Sequence, residues 1–200
     1  MTYTLNLKAF TNTISDRALE QLCRENPDLR FETDAKGKLI IMSPTGSQSG
    51  KRNGDLFGQV WYWNRQSKAG VVFDSSTGFK LSNGATRSPD VSWIAIERWN
   101  SLSDKQKRGF APIDPDFIIE LMSYPPAFGI PPNRGDKGGL QQKMVEYINC
   151  GIKLGWLINP DEKQVEIYRL SKDKEMLDNP SSLSGEDVLP GLTVDLSDMF

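Results

Sequence analysis

The sequence predicts a mixed α/β (α+β) fold, in which helices flank a β-sheet. An apolar segment at residues 115–122 is followed by a helical pattern at 140–151 and a second apolar segment at 153–159. A strand, a crossover helix and another strand usually form a parallel pair, whereas the hairpin-like segments elsewhere argue against a purely parallel sheet. We therefore expect a mixed sheet with at least one parallel pair, and not an all-β barrel.

Length and composition limit the domain organisation. The chain has 200 residues, of which 38% are hydrophobic and 25% charged, as is typical of one domain with a full core. We expect a single domain over residues 1–200, with residues 1–30 as a helical extension at the N-terminus. No segment approaches the roughly 18 consecutive apolar residues of a membrane span, and no secretory signal is recognisable. The expected location is therefore the cytoplasm, without membrane contact.

Histidine is absent from the chain. Its absence excludes Ser-His-Asp and Cys-His nucleophile systems and His-dependent metalloproteases and nucleases. Acid–base chemistry must then use carboxylates, Lys, Tyr or Cys. Since Cys23 and Cys150 are far apart and form no metal-binding pair, a bound metal would be a hard ion such as Mg²⁺ or Mn²⁺.

The first elements have clear local signals. Ser15 is a good helix N-cap, and apolar residues at helical spacing follow it to residue 25, which predicts a short helix. A polar turn separates apolar segments at 31–33 and 38–42, which predicts a β-hairpin. Apolar residues recur at helical spacing over 51–67, which predicts an amphipathic helix.

The remaining elements are predicted by the same patterns. They are two short strands within 70–81, a strand from Asp90 to residue 96, partly helical structure at 97–108, a loop rich in Pro and Gly at 124–139, a strand at 164–170, and an extended tail with a short helical end at 186–200.

Two carboxylates have settings that suggest chemistry. Asp90 begins an apolar strand directly after Pro89, and Glu120 ends the apolar run of another strand. If those strands are neighbours, both acids lie near one edge of the sheet, where a divalent metal could bridge them and offset their repulsion. The competing interpretation is that each acid is ion-paired or faces solvent at a strand end.

Two further residues are weaker candidates. Lys143 lies beside the apolar stripe of its predicted helix, so its amine could reach back toward Glu120, although a lysine in such a position commonly extends into water. Glu32 lies in the first hairpin strand, where an ion pair with a surface lysine would also explain it.

Tryptophans and small basic clusters could in principle contact nucleic acid. Tryptophans within helical or strand patterns usually belong to the core, however, and small groups of charges are usually solvated. We therefore discount both features as evidence of nucleic-acid binding. The formal net charge of −2 also fits a nonspecific nucleic-acid coat protein poorly, and no Gly-rich phosphate-binding loop is present in the sequence.

Five segments together resemble the Uma-type family of restriction-endonuclease-like proteins. In order, they are FETDAKGKLIIMSPTG, VVFDSSTGFKLSNGATRSPDVSWI, PDFIIELMS, LQQKMVEYINCGIKLGWLINP and VLPGL, which span residues 31 to 192. The resemblance implies the PD-(D/E)XK nuclease fold and a site for Mg²⁺-dependent cleavage of phosphodiester bonds. It assigns the metal-binding aspartate to Asp90 and the metal-binding glutamate to Glu120.

The sequence departs from the orthodox motif after Glu120. The lysine expected two residues later is Met122, and the resemblance suggests that Lys143 of the following helix has taken its role. The resemblance also aligns Glu32 with an acidic position of the family. The loop at 124–139 is richer in Pro and Gly than the more polar connection expected in the family.

These observations lead to two main hypotheses. The first is a Mg²⁺- or Mn²⁺-dependent DNA endonuclease with Asp90, Glu120, Lys143 and Glu32 as its catalytic residues and Asp90 and Glu120 as its metal ligands. The second is an inactive protein of the same fold that binds nucleic acid or a partner. Hydrolysis of another phosphodiester is a third option. A homodimer is expected for a nuclease that cuts both DNA strands.

Overall fold

The computed structural model describes residues 14–27, 29–42, 45–123 and 135–200. The elements in chain order are α1 (Asp16–Glu25), β1 (Arg30–Thr33), β2 (Leu39–Met42), α2 (Ser47–Ser67), β3 (Gly70–Asp74), β4 (Phe79–Lys80), β5 (Thr86–Arg87), β6 (Val91–Ala95), α3 (Ile96–Asn100), α4 (Asp104–Arg108), β7 (Phe117–Leu121), α5 (Gly135–Asn149), β8 (Leu154–Asn159), β9 (Gln164–Arg169), β10 (Glu175–Asp178), β11 (Ser182–Ser184) and β12 (Thr193–Asp195).

A six-stranded mixed sheet organises the chain, with strand order β10-β9-β8-β7-β6-β3. The β7 and β8 strands are parallel, and the other neighbouring strands of this sheet are antiparallel. Every residue of β7 and β8 is buried, as expected for central strands that are covered on both faces. The predicted mixed sheet flanked by helices, with one parallel pair, is therefore confirmed.

Helices cover the two faces of this sheet. On one face, Leu56 and Val60 of α2 belong to an apolar cluster with Ile119 of β7. On the other face, Met144 of α5 belongs to a second cluster with Ile118 of β7. Because successive strand residues point to opposite faces, Glu120 lies on the α5 side together with Ile118.

A second sheet lies beside the first, with strand order β2-β1-β5-β4. The predicted hairpin forms β1 and β2, which pair with Phe31 opposite Ile41. The two strands predicted within residues 70–81 belong to different sheets, since β3 pairs with β6 and β4 pairs with β5. This second sheet brings β1 and β5 next to α5.

Some predicted boundaries were wrong. The α2 helix begins at Ser47, four residues before its predicted start, and α5 begins at Gly135, so residues 135–139 are helical rather than part of a loop. The rest of that predicted loop, 124–134, lies outside the described residues. The tail ends in a turn closed by Met199 N–H and the Leu196 carbonyl, not in a helix. Glycine lowers intrinsic helix propensity, but tertiary packing commonly overrides that preference.

The first helix forms as predicted. Ser15 caps α1 by accepting a hydrogen bond from Ala18 N–H at 3.3 Å. Leu19 and Leu22 of this helix pack with Phe31 of β1 in a small apolar cluster. Among the described residues, no helix has the length and apolar character needed to cross a membrane.

We predict that Gly70→Ala destabilises the six-stranded sheet. A Cβ atom at Gly70 would lie 2.2 Å from the backbone oxygen of Ile94 and 2.5 Å from the Trp93 ring. Overpacking of this kind costs about 1–3 kcal/mol, and each kcal/mol lowers the melting temperature of a chain of this size by about 2–4 °C. Thermal denaturation followed by circular dichroism measures the change.

Gly54→Ala is the matched control. A Cβ at Gly54 on α2 meets no atom within 4 Å, so the substitution should stabilise the helix by about 0.5–1 kcal/mol. Equal melting temperatures for the Gly70→Ala and Gly54→Ala proteins would contradict the packing described for β3 and β6.

Candidate active site

A cleft of about 1270 Å³ opens where the two sheets meet α5. All four candidate residues from the sequence line it: Glu32, Asp90, Glu120 and Lys143. They come from β1, the residue before β6, β7 and α5, so the cleft joins parts of the chain that are far apart in sequence.

Asp90, which directly precedes β6, lies next to Glu120 of β7. The β6 and β7 strands are antiparallel, with Val91 opposite Ile119, and this register places Asp90 opposite Glu120. Leu121 N–H donates a hydrogen bond of 2.8 Å to Oδ2 of Asp90. The two acids therefore share one edge of the sheet, within the same cleft.

Lys143 reaches across from α5 to both sheets. Its Nζ lies 2.8 Å from Oε1 of Glu120 and 3.0 Å from Oε1 of Glu32. The lysine side chain is only 10% exposed, so it does not extend into water. A single ammonium group thus joins β7 of the six-stranded sheet to β1 of the four-stranded sheet.

Glu32 is held by three donors. Lys143 and Ser88 N–H both contact its Oε1, the latter at 2.9 Å, and Nη1 of Arg87 lies 3.1 Å from its Oε2. Arg87 also binds Glu146 of α5, through Nε at 2.7 Å and Nη2 at 2.6 Å. Glu32 is therefore part of a buried ion network and is not a surface partner of a lysine.

Tyr147 adds a second contact to Glu120. Its hydroxyl donates a hydrogen bond of 2.9 Å to Oε1, the oxygen that also contacts Lys143. Tyr147 is fully buried in the apolar cluster between α5 and the six-stranded sheet. One oxygen of Glu120 thus accepts two contacts from the same helix.

The cleft is lined by more acids than bases. The acids are Glu32, Asp34, Asp90, Glu120 and Glu146 and the bases are Arg30, Lys38, Arg87 and Lys143, which leaves a formal excess of one negative charge. Burial raises the pKa of Glu120 to about 7 despite the Lys143 ammonium, and repulsion from Asp90 and Glu32 adds to this rise. Burial also raises the pKa of Asp90.

The ion network keeps Lys143 and Glu32 charged. Burial alone would lower the pKa of Lys143, but attraction to Glu120 and Glu32 outweighs burial and raises that pKa above its usual value. Burial likewise opposes ionisation of Glu32, yet the Lys143 ammonium, Ser88 N–H and Arg87 together lower the pKa of Glu32. Lys143 is therefore a fixed positive charge and not a proton acceptor at neutral pH.

The donor set of Asp90 and Glu120 fits a hard divalent cation. Oδ2 of Asp90 and Oε1 of Glu120 are engaged, whereas no described residue donates to Oδ1 of Asp90 or Oε2 of Glu120. Mg²⁺ is commonly bound by one or two carboxylates, with water and substrate phosphate completing its shell. Within the described ranges, no group of three or more Asp, Glu or Cys side chains forms a metal cluster by itself.

Sequence reasoning missed three residues that build this site. Arg87 immediately precedes the Ser-Pro-Asp motif, but an isolated arginine in a short segment gives no pattern to follow. Glu146 and Tyr147 lie three and four residues after Lys143, a spacing that places all three on one helix face. That spacing is visible in KMVEY, but a tyrosine within an apolar helical stripe gives no signal of a polar role.

Not every tryptophan belongs to the core. Trp93 and Trp156 are buried, whereas Trp61 is 43% exposed on α2, beneath the guanidinium of Arg65. A helix at the surface exposes one of its faces, and the helical spacing of Trp61 did not show which face that would be. Trp61 is not among the described residues that line the cleft.

Comparisons with known proteins agree with this fold. The chain has the architecture of a crystal structure described as "a putative nuclease belonging to DUF820" from Anabaena variabilis. The two chains are 20% identical, the match covers 85% of this chain and 89% of the other, and the TM-score is 0.66. At this identity the similarity shows the fold alone.

A family model identifies the chain more directly. The model of the Uma2 family, described as "Putative restriction endonuclease", matches residues 16–197, so the chain belongs to this family. The resemblance seen in the sequence is thereby confirmed, and family membership supports a nuclease function. Comparison with curated proteins gives no match.

We predict that Glu120→Gln stabilises the metal-free protein at neutral pH. A carboxyl group with a raised pKa stabilises the fold while it is protonated, below about pH 4.5, and this contribution is lost as the pH rises through about 7. The uncharged amide avoids that loss and still accepts the Tyr147 hydrogen bond. Melting temperatures at pH 5 and pH 8 test this.

The stability of Glu120→Gln relative to the wild type should increase as the pH rises. At pH 8 the difference in the free energy of unfolding should be about 1 kcal/mol or more, and each kcal/mol raises the melting temperature by about 2–4 °C. Asp55→Asn, which removes an exposed acid on α2, is the control and should show no such trend. If Glu120→Gln melts at a lower temperature than the wild type at pH 8, the ionised carboxylate of Glu120 does not destabilise the fold, and the prediction is wrong.

Proposed function

We propose that this protein is a Mg²⁺- or Mn²⁺-dependent endonuclease that hydrolyses phosphodiester bonds in DNA. The observation that carries the proposal is the pairing of Asp90 and Glu120 at one sheet edge, inside a cleft with excess negative charge and beside the Lys143 ammonium. Membership of the Uma2 family supports the same reaction class.

Asp90 and Glu120 are the proposed metal ligands. They supply hard carboxylate oxygens from β7 and from the residue that precedes β6, and a divalent cation would offset the repulsion between them. A bound divalent ion supplies a Lewis acid that neutralises the phosphate and lowers the pKa of a water molecule. The protein contributes the rigid placement of both acids, since β6 and β7 are held by the sheet.

Lys143 is the proposed catalytic cation. Because its pKa is raised, its ammonium stays charged and cannot act as a general base. Its position beside Glu120 places a positive charge next to the proposed metal ligands, where it can orient the attacking water or stabilise the extra negative charge of the pentavalent transition state.

The position of Met122 supports this assignment. Its side chain packs against the apolar cluster on the α5 side of the sheet and does not line the cleft. The side chain at the orthodox lysine position therefore contributes nothing to the cleft. Lys143 of α5 instead supplies the ammonium group that contacts Glu120. We propose that the helix lysine replaces the strand lysine of the orthodox motif.

DNA is the proposed substrate. Arg30 and Lys38 line the cleft in addition to the buried cations, and both side chains lie at exposed positions where they can contact phosphate oxygens. As part of the same proposal, two copies form a homodimer in the cytoplasm, since matching subunits related by a two-fold axis can address the two antiparallel DNA strands.

We predict that Asp90→Asn and Glu120→Gln each lower cleavage of supercoiled plasmid in Mg²⁺ by about 100-fold or more, because each removes a charged metal ligand. Agarose gels that resolve supercoiled, nicked and linear DNA measure the rate. Asp55→Asn, which removes an exposed acid outside the cleft, should cleave at the wild-type rate.

Two outcomes would contradict the proposed endonuclease activity at this site. Cleavage that survives both substitutions comes from another site or from a contaminant. A wild-type protein that binds DNA in a gel-shift assay but does not cleave it in Mg²⁺ or Mn²⁺ would support the alternative, an inactive binding protein of nuclease fold.

Lys143→Met should separate metal binding from chemistry. The substitution removes the ammonium group that is proposed to stabilise the transition state, so we expect the cleavage rate to fall by about 100-fold or more. Mn²⁺ affinity, measured by electron paramagnetic resonance, should stay equal to or tighter than wild type, because the ammonium no longer competes for Glu120. Weaker Mn²⁺ binding in Lys143→Met than in Asp90→Asn would contradict these roles.

A further inference from the structure

The two oxygens of Glu120 have different surroundings. Oε1 accepts the Tyr147 hydroxyl at 2.9 Å and contacts Lys143 Nζ at 2.8 Å. Oε2 receives no hydrogen bond from any described residue. A carboxylate held by two donors on one oxygen cannot rotate without losing both, so its second oxygen has a fixed direction.

Tyr147 is suited to hold Glu120 permanently. The side chain is fully buried and packs in the cluster with Met144 and Ile118, so its ring cannot move without opening the core. Burial raises the pKa of the Tyr147 hydroxyl far above its usual value, and the neighbouring carboxylates add to this rise, so the group remains a donor at all working pH values.

Lys143 is a less permanent partner of Glu120. Its ammonium also contacts Glu32, and a divalent ion at Glu120 would compete with it. Tyr147 is neutral and has no described hydrogen-bond acceptor other than Glu120. The tyrosine is therefore the contact that can keep Glu120 oriented when the cation arrives.

We propose that Tyr147 is a positioning residue for the metal site: its hydroxyl holds Oε1 of Glu120 so that Oε2 is presented to the cation. This inference rests on the proposed function, since it assumes that Glu120 is a metal ligand. Groups that orient a metal ligand commonly contribute 10–100-fold to metal affinity or activity.

The chain contains a matched tyrosine–glutamate pair outside the cleft. Tyr168 donates a hydrogen bond of 2.6 Å to Oε2 of Glu166, and both residues are buried. Tyr168 belongs to the same apolar cluster as Tyr147, but neither member of this second pair lines the cleft. Tyr168→Phe therefore removes a similar buried hydrogen bond without touching the proposed metal site.

The test compares Mn²⁺ binding by the wild type, Tyr147→Phe and Tyr168→Phe, measured by electron paramagnetic resonance on the full chain. We expect the dissociation constant to rise about 10-fold in Tyr147→Phe and to stay within about twofold in Tyr168→Phe. Melting temperatures of the two variants, measured without metal, show that both are folded.

Cleavage gives a second measurement. In Tyr147→Phe, the Mg²⁺ concentration for half-maximal plasmid cleavage should rise by about the same factor as the Mn²⁺ dissociation constant, while the rate at saturating Mg²⁺ falls less. A purely structural role would lower the saturated rate and leave the Mg²⁺ requirement unchanged.

The remaining outcomes contradict the inference, and they distinguish a wrong role for Tyr147 from a wrong proposed function. Unchanged Mn²⁺ binding in Tyr147→Phe, or equal weakening in both variants, removes the positioning role while the proposed endonuclease stands. If the wild type itself binds no Mn²⁺, the proposed function and the role of Tyr147 are both wrong.

Discussion

The Lys143 ammonium between Glu120 and Glu32 is the interaction on which the rest of the site depends. It joins α5 to a strand of each sheet, and so it fixes the helix relative to both walls of the cleft. The ammonium does not offset the burial of Glu120, and repulsion from Asp90 and Glu32 adds to that burial, so the pKa of Glu120 is raised to about 7. The apolar clusters on both faces of the six-stranded sheet hold the acids together against this repulsion.

The fold was largely predictable because its strongest signals are local or involve neighbouring segments. Ser15 marks the start of α1, and the apolar runs that became β7 and β8 predicted the parallel pair with α5 as its crossover. The same patterns placed Asp90 and Glu120 at one sheet edge. The placement of Lys143 near Glu120 also followed from its helix and from the family resemblance.

The parts that could not be predicted depend on contacts between distant segments. The two-residue strand β5 is too short to show a periodic pattern, and its pairing with β1 brings Arg87 to Glu32. Nothing in the sequence around Glu32 indicates that a second sheet will bury it. The polar role of Tyr147 was hidden because a tyrosine in an apolar stripe packs like a phenylalanine, and only the structure shows where its hydroxyl points.

A crystal structure of the protein grown with Mn²⁺ would show, through the anomalous scattering of the metal, whether Asp90 and Glu120 bind a divalent cation. We expect one strong anomalous peak about 2 Å from an oxygen of Asp90 and an oxygen of Glu120, with Lys143 still in contact with Glu32. An ordered cleft without that peak, in which Lys143 still binds Glu120, would mean that these two acids are not metal ligands.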